Sequence, residues 1–383
     1  MKISFIVTSY NIETYVDRCL RSVLEVVRPG DEIIVVDDGS SDDTPAVVKA
    51  CLADAPQGVE KRPVFLGQNT MGGVGIAGNI GLDMAARDGV FFVDGDDWLD
   101  VDGFNAARAA FERGDCDILI ANYQEFDEAN AVFKAPADEG RWCHITGQAQ
   151  GEALQLQALA FIAVPWRKFY RRAFLNANGL RFPEGDFFFE DNPFHWQVCL
   201  KARQITFFDT TLCYHRINRP GQTMASTGIE LIAFLDHFET ILGYLQPDMA
   251  VSFHRQAVNW LLSNMSWHLQ RLRPQAAPYY FRRAAEVLAA AEPEEAVSAE
   301  LDAFMGTQAG LYAMMLLERG WGAALEYFLA DFNRRDMDRL RQELRELKED
   351  LLQQLSAGSN AAVAMRNIMQ YESLHDAYHD VDK

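Results

Sequence analysis

The sequence predicts an α/β fold, a mostly parallel sheet flanked by helices, followed by an all-helical carboxyl-terminal domain. Apolar strands alternate with helical segments over the first 125 residues, acidic clusters follow two of the strands, and helical periodicity alone remains after about residue 226. Nearly continuous apolar strands separated by helices are typical of a parallel sheet covered on both faces. Because 383 residues exceed one compact core, we expect two domains, 1–225 and 226–383.

Five strands and the helices between them are predicted in the first part of the chain. The strands are ISFIVTS (3–9), EIIVVDD (32–38), PVFLG (63–67), GVFFVD (89–94) and CDILIANY (116–123). Helical spacing occurs at about 12–27, after the capping run SSDDT (40–44) and at 72–87. Ligands bind at the carboxyl ends of the strands in such sheets, so the residues that follow each strand are the first candidates for a site.

The chain after residue 226 is predicted to consist of amphipathic helices. They cover 229–245, 250–272, 279–292, 309–320 and 334–355. In the last helix, apolar residues recur at alternating steps of three and four, namely Met337, Leu340, Leu344, Leu347 and Leu351. This is a short heptad pattern, so we expect the helix either to pack on its own domain or to form a homodimer. No chemical motif is evident in this region, and acceptor positioning or oligomerisation is its expected role.

The composition and net charge of the chain limit the classes of binding partner that we expect. Hydrophobic residues make up 49% and charged residues 23% of the chain, as in soluble globular proteins, and the net charge of −20 argues against nucleic acid as an electrostatic partner. Six cysteines without a Cys-x-x-Cys pair fit reduced thiols, and the apolar run at the amino terminus is too short for a signal peptide. We expect a cytoplasmic protein, with peripheral contact to the inner membrane face left open.

The two acidic clusters lie at predicted strand ends. Asp37 and Asp38, in VVDDGSSDDT, can accept hydrogen bonds from a base or a sugar, although acidic turns with glycine are also common helix caps. Asp94, Asp96 and Asp97, in DGDDW, repel one another unless a partner offsets their charge. Mg²⁺ and Mn²⁺ take carboxylate and phosphate oxygens as ligands. The pattern therefore predicts a divalent ion that bridges the protein to a nucleoside diphosphate, with a simple acidic turn as the alternative.

Two later segments carry further candidates. In FFFEDNPF, Glu190 and Asp191 follow three phenylalanines, and apolar surroundings raise a carboxyl pKa into the range of a general base; a helix cap by Asp191 is the alternative. In CYHRINRPGQTM, His215 and Arg216 could hold a diphosphate, or His215 could bind a metal. A single histidine is more often structural.

Taken together, these motifs resemble the family-2 glycosyltransferases with a GT-A fold, over roughly residues 1 to 225. The matching segments are FIVTSYN, YVDRCLRSVL, EIIVVDDGSSDDT, NTMGGVGIAGNIGL, FFVDGDDWL, PWRKFYRRAFL with GLRFPEG, FFFEDNPF and YHRINRPGQT. Their order along the chain is far more specific than any one of them.

The resemblance implies transfer of a sugar, with inversion, from a nucleotide sugar (most often UDP-linked) to a glycan or lipid-linked acceptor in bacterial surface polysaccharide synthesis. It also implies Mn²⁺ or Mg²⁺ as cofactor. The roles it implies fall on the following residues: Thr8, Tyr10 and Asp38 near the nucleoside; Asp96 on the ribose and diphosphate; Asp97, with Asp96 and His215, on the metal; His215 and Arg216 near the diphosphate; Asp191, with Glu190 beside it, as the base; Trp166 and Lys168 on the acceptor side.

One position departs from the family pattern. The glycine-rich stretch usually contains Arg-Asn, and here the pair is Gly78-Asn79, so a guanidinium that would help to hold the nucleotide is absent. A degenerate transferase acting as a scaffold is therefore one alternative. A nucleotidyltransferase or a phosphohydrolase with acidic metal ligands is the other, although the first strand lacks the Asp-x-Asp that an aspartate-based phosphatase would need there.

Overall fold

The computed structural model describes residues 1–70, 74–185, 188–219, 227–246 and 248–356. Within these residues a nine-stranded sheet runs in the order β3-β2-β1-β4-β8-β6-β9-β5, with β7 paired to β6. The strands are β1 Ile3–Ser9, β2 Glu32–Asp37, β3 Glu60–Phe65, β4 Gly89–Asp94, β5 Trp98–Leu99, β6 Ile118–Asp127, β7 Val132–Lys134, β8 Lys168–Arg171 and β9 Ile205–Ile217.

The helices of the first half flank this sheet, and those of the second half form a helical region. They are α1 Val16–Val26, α2 Thr44–Ala53, α3 Gly75–Met84, α4 Val101–Arg113, α5 Glu152–Leu159, α6 Arg172–Ala177, α7 Asp191–Lys201, α8 Ala233–Tyr244, α9 Val251–Leu269, α10 Ala277–Ala289, α11 Glu294–Ala303, α12 Gln308–Arg319 and α13 Trp321–Ser356. Short 3₁₀ helices occupy Glu139–His144, Pro165–Arg167 and Ile229–Ile232. None of the described helices is long and apolar enough to cross a membrane.

The predicted α/β architecture with a helical carboxyl-terminal region is confirmed, and the sheet is mixed. β3, β2, β1 and β4 pair in parallel, as their apolar sequences indicate. β8 runs antiparallel to both β4 and β6, whereas β9 is parallel to β6. The parallel half of the sheet therefore contains the strands whose ends carry the predicted acidic residues. The strands added by antiparallel pairing place β9 next to the turn that follows β4.

Alternate side chains of the strands enter different cores. In β1, Phe5 and Val7 pack with α1, α2 and α4 on one face, whereas Ile6 packs with α3 on the other. This alternation explains why the strands read as continuous apolar runs, since both faces are covered. The core that contains Ile6 continues without interruption into α8–α12 and ends at Ala324 and Phe328 of α13. The predicted domain boundary at 225 lies outside the described residues.

A buried ion pair joins the second half of α4 to the amino-terminal ends of β1 and β2. Arg108 donates to both carboxylate oxygens of Asp31, at 2.7 and 2.9 Å, and both residues are fully buried. Asp31 also accepts the backbone N–H groups of Ile3 and Arg28, at 2.9 and 2.8 Å. Removing one partner of such a pair leaves a buried charge without compensation.

We therefore expect Arg108→Met to lower the free energy of unfolding by about 3–5 kcal/mol, because Asp31 keeps its buried charge. Arg21→Met is the control, since Arg21 forms an exposed pair with Asp17 and should change stability little. Urea denaturation measures both. Equal effects of the two substitutions would contradict the assignment of Arg108 as a structural cation.

Candidate functional site

An acidic corner, defined by Asp94, Asp96 and Asp97, lies where β4 ends. β4 finishes at Asp94, and the turn through Asp97 leads directly into the two-residue strand β5. β5 pairs antiparallel with β9, with Trp98 opposite Tyr214. This pairing is why the carboxyl-terminal part of β9 lies against the acidic turn.

Protein groups offset much of the charge of this corner. His215 Nδ1 lies 3.0 Å from Asp97 Oδ2, and the backbone N–H of Arg216 donates to Asp97 Oδ1 at 2.7 Å. Arg219 forms an ion pair with Asp96, and Arg216 Nε donates to the Asp96 carbonyl at 2.9 Å. The carboxylates thus find hydrogen-bonding and cationic partners within the chain, in addition to any cation that binds there.

The electrostatics of the corner follow from burial and crowding. Burial raises the pKa of Asp94, and the charges of Asp97 and Asp96 raise it further. Burial also raises the pKa of Asp97, against the effect of His215. Burial alone would lower the pKa of His215, but the neighbouring Asp97 carboxylate raises it to about 9. The Asp97 carboxylate therefore favours the protonated form of His215.

The fit of a divalent ion rests on Asp97 and His215. Among the described residues no group of three or more His, Cys, Asp or Glu is arranged to hold a metal. Asp97 Oδ2 and His215 Nδ1 nevertheless lie 3.0 Å apart. Neighbouring ligands of an octahedral ion with bonds of about 2.1 Å are separated by about 3 Å. Phosphate oxygens and water can complete the shell of Mg²⁺ or Mn²⁺, so an ion at this corner would take Asp97, and His215 only once the proton that it shares with Asp97 is lost.

The residues predicted near the nucleoside lie at the ends of β1 and β2. Thr8 is buried in β1 beside Asp94, whereas Tyr10 is 47% exposed. The carboxylate of Asp38 accepts the N–H and the hydroxyl of Thr70, each at 2.8 Å, and the amide of Asn69 at 2.9 Å. Burial raises the pKa of Asp38 in spite of the hydrogen bonds from Thr70. These bonds hold the loop after β3 beside Asp38.

The turn after β2 needs glycine at residue 39. Gly39 has a φ of +74°, and a Cβ there would lie 2.3 Å from the backbone carbonyl carbon of Gln68. Asp37 holds the same turn by accepting the Ser40 N–H at 2.9 Å and the Ser9 hydroxyl at 3.0 Å. Of the two adjacent aspartates, Asp37 therefore has a structural role.

Asp191, the predicted base, begins α7 and is connected to the helical region. Asn192 Nδ2 donates to Asp191 Oδ1 at 2.9 Å, and Trp260 Nε1 of α9 donates to Asn192 Oδ1 at 3.2 Å. Burial raises the pKa of Asp191 to about 6, against the lowering effect of the Lys168 charge. The charge of Asp191 in turn contributes to the raised pKa of Asp94, so the base candidate and the acidic corner lie within electrostatic reach of each other.

Glu190 lies next to Asp191 but faces the amino terminus of α3. Burial raises its pKa to about 7, and the charge of Asp191 adds to the shift. Its buried Oε1 has no hydrogen-bond partner among the described residues. A Cβ at Gly75 would lie 2.7 Å from Glu190 Cγ, so glycine permits this approach. The alternative that Asp191 caps α7 is not observed, because no side chain caps that helix and Asp191 is its first residue.

Trp166 and Lys168 lie behind the site. Trp166 is buried and stacks on the His215 ring at a centroid distance of 4.9 Å. Lys168 is fully buried, its ammonium donates to the Val164 carbonyl at 2.5 Å, and burial lowers its pKa to about 7. Both side chains are buried in this structure, and their place on the acceptor side stays a prediction. Trp166 supports the His215 ring, and the Lys168 charge acts on the pKa of Asp191.

Phe182 fills the space next to Gly78. A Cβ at Gly78 would lie 2.9 Å from Phe182 Cε2, and the Phe182 ring stacks on Phe194 at 4.1 Å. Asn79 holds Phe182 in place, since its amide donates to the Phe182 carbonyl and its carbonyl oxygen accepts the Phe182 N–H, both at 2.9 Å. An aromatic ring therefore occupies the position from which an arginine side chain at residue 78 would extend.

Sequence reasoning missed the roles of Asn192, Trp260 and Phe182. The position of Asn192 next to Asp191 was a usable signal, but nothing in the local sequence of Trp260 indicates its contact with Asn192 across 68 residues. Parts of three motifs, at 71–73, 186–187 and 220–226, lie outside the described residues.

Comparisons with known proteins agree with this arrangement. Residues 4–178 match the family model described as glycosyl transferase family 2. The putative glycosyltransferase EpsH of Bacillus subtilis is 27% identical over 269 residues, covering 67% of this chain and 73% of that protein. The poly(ribitol-phosphate) beta-N-acetylglucosaminyltransferase TarS of Staphylococcus aureus is 27% identical over 231 residues, covering 59% of this chain and 37% of TarS.

The fold is shared with a solved structure. The crystal structure of S. aureus TarS 1-349 in complex with UDP-GlcNAc superposes with a TM-score of 0.65 at 21% identity, covering 85% of this chain and 90% of that one. At this level of identity the likeness concerns the fold, and it confirms the predicted GT-A architecture.

The buried Glu190 carboxyl gives a prediction for stability. Its folded pKa of about 7 exceeds the ordinary value of 4.5, so the folded protein binds the proton more tightly and loses stability as pH rises between those values. The Glu190→Gln variant does not lose stability in this way as the pH rises. Its stability relative to the parent chain should increase by about 2 kcal/mol between roughly pH 5.5 and 8.

Chemical denaturation at both pH values measures this difference. Glu349→Gln, at an exposed position of α13, is the control and should show the same difference from the parent at each pH. A Glu190→Gln profile parallel to that of the parent would contradict a raised carboxyl pKa.

Proposed function

Since the chain is a glycosyltransferase with a family-2 domain over residues 4–178, we propose that it transfers a sugar, with inversion, from a UDP-linked donor to a hydroxyl of a glycan or lipid-linked acceptor. The observation that carries this proposal is the Asp97–His215 pair at the end of β4, with the carboxyl of Asp191 within electrostatic reach of the same corner. The UDP-GlcNAc bound to TarS, whose fold this chain shares, supports a UDP-linked donor. The relatives support a role in bacterial polysaccharide synthesis.

The donor lies along the ends of β1, β2 and β4 in this proposal. Thr8 and the exposed Tyr10 border the nucleoside, and Asp38 accepts hydrogen bonds from the base. Asp96 contacts the ribose and diphosphate, and Arg216 and His215 lie next to the diphosphate. Arg216 is fixed for this by the contacts of its backbone N–H and its Nε with the acidic corner.

A Mn²⁺ or Mg²⁺ ion fits this site, held by Asp97 and His215 with Asp96 beside them. When bound, such an ion stabilises the negative charge that develops on the departing diphosphate. Neighbouring residues pre-organise the ion site: Trp166 supports the His215 ring, and the Arg216 N–H orients the Asp97 carboxylate.

Asp191 removes the proton of the acceptor hydroxyl as that oxygen attacks the anomeric carbon. A base on one side of the sugar and a leaving diphosphate on the other produce one displacement, and hence inversion. The Asn192 amide holds Oδ1 of Asp191 and so orients the carboxylate. The Lys168 charge lowers the pKa of Asp191 against the effect of burial, which keeps the base ionised near neutral pH.

The helical region has two roles in this proposal. Trp260 orients Asn192, and through it Asp191, so the helices help to position the base. We also place the boundary between the two domains at about residue 225. The carboxyl-terminal helices form a homodimer contact in this proposal. A cytoplasmic protein with peripheral contact at the inner membrane face is consistent with a lipid-linked acceptor.

The donor and metal assignments predict a specific binding pattern. UDP with Mn²⁺ should raise the melting temperature of the parent chain, because the ion and Asp97 hold the diphosphate together. In the Asp97→Asn variant most of the Mn²⁺-dependent part of this rise in melting temperature should be lost, since one ligand of the ion loses its charge. Scanning fluorimetry with uridine, guanosine, cytidine and thymidine diphosphates, each with and without Mn²⁺, measures this.

Asp102→Asn is the matched control, at an exposed position in the first turn of α4, and should respond like the parent. A parent chain that responds to none of the nucleotides would contradict the donor proposal and favour a degenerate transferase acting as a scaffold.

The base assignment predicts the effect of Asp191→Asn. This substitution should reduce kcat by roughly 10²–10⁴-fold while leaving the affinity for the nucleotide sugar nearly unchanged, because an amide cannot accept the proton. In the parent chain kcat should fall as pH decreases through about 6, where Asp191 becomes protonated. Transfer assays over a pH series, with calorimetric titration of donor, measure both quantities. An Asp191→Asn variant with near-normal turnover would exclude this residue as the base.

A further inference from the structure

The carboxyl-terminal half of α13 extends away from the folded body. Ala324 and Phe328 are fully buried, and α13 packs there against α10 and α12. From Asn333 to the end of α13, none of the described side chains belongs to a buried core. At 1.5 Å per residue this part of the helix is about 36 Å long. Most of the stability of helices in proteins comes from packing of an apolar face, and this part of α13 has no such packing within the described residues.

One face of the extension carries an apolar stripe at coiled-coil spacing. Met337, Leu340, Leu344 and Leu347 alternate at steps of three and four residues, and the sequence continues the pattern at Leu351. The stripe remains accessible, and Leu347 is 39% exposed. In heptad terms Met337 and Leu344 occupy a positions, and Leu340 and Leu347 occupy d positions.

The charges that flank the stripe differ in sign between its two sides. The g positions next to it are acidic, Asp336 and Glu343, whereas the e positions are basic, Arg341 and Lys348. In a parallel pair of helices each g residue faces the e residue five positions later in the partner. Asp336 then meets the partner's Arg341, and Glu343 meets the partner's Lys348. In an antiparallel pair g faces g and e faces e, so like charges would meet.

We propose that a second copy of this chain covers the stripe, in a parallel two-stranded coiled coil formed by residues 333–356. The inference rests on the proposed homodimer and is independent of the proposed chemistry. Within one chain, Arg339 pairs with Asp336 and lies 3.7 Å from Glu343. Arg341 lies 3.3 Å from Asp338. These contacts on the helix surface are weak, so pairs between two helices can replace them. Because both helices leave their bodies at the same residue, both catalytic domains lie at the same end of the coil.

Charge reversal of the full-length chain tests this arrangement. The double variant D336K/E343K makes both flanks basic, so dimer dissociation should increase by roughly tenfold or more. R341E/K348E makes both flanks acidic and should increase dimer dissociation to a similar extent. An equimolar mixture of the two variants restores opposite charges and should restore the dimer. E346K/E349K is the control, since it changes the net charge equally at exposed positions away from the stripe and its flanking charges, and it should dimerise like the parent. Sedimentation over a concentration series measures all four.

Orientation is tested by separate Leu340→Cys and Leu347→Cys variants under mild oxidation. In a parallel, in-register coil both d positions face their own copies, so both variants should cross-link in a Cys143→Ser background, whereas Cys143→Ser alone, which lacks the one exposed thiol among the described residues, should not. A parent chain that stays monomeric would overturn both the homodimer and the coil. A parent dimer that D336K/E343K leaves unchanged, or that neither cysteine cross-links, would overturn the coil while leaving dimerisation by another surface.

Discussion

Burial of carboxylates at the carboxyl end of β4 is the constraint around which the site is built. Asp94 and Asp97 leave bulk water in a place where their charges repel, which raises the pKa of both. The 13-residue strand β9 compensates for this charge: it pairs with β6 along the length of both strands and brings His215 and Arg216 to the turn. The short strand β5 fixes this approach, because its pairing with β9 sets which residues of β9 face the acids.

A second buried carboxyl, that of Asp191, depends on another part of the chain. Its oxygen is held by Asn192, whose amide is oriented in turn by Trp260 of α9. The Phe189 ring packs on Phe234 of α8 at 4.3 Å, and His237 contacts the Phe188 carbonyl at 2.7 Å. The helical region is thus mechanically connected to the start of α7, so a change in helix packing would reach the carboxyl group through a few short contacts.

The sequence indicated the features that depend on local pattern. β1 and β4 were predicted with their observed bounds because they are apolar on both faces, and their ends meet because parallel strands share one edge. The residues of the acidic corner followed from that rule. The contact of Trp260 with Asn192 and the position of the Phe182 ring arise from packing between distant segments, and no local pattern encodes them. The burial of Trp166 and Lys168 was missed for the same reason, since the 3₁₀ helix and the short strand β8 that carry them pack against segments from elsewhere in the chain.

The contact between Gly78 and Phe182 has an evolutionary consequence. The Phe182 ring in its present position leaves no room for a side chain at residue 78, because even a methyl carbon there would lie 2.9 Å from Cε2 and one of the two would have to shift. An ancestor or descendant of this chain could acquire arginine at 78 only after the aromatic residue had become smaller, or in the same step. The two positions should therefore covary among homologous chains, with glycine accompanying the aromatic residue and larger residues accompanying a small one.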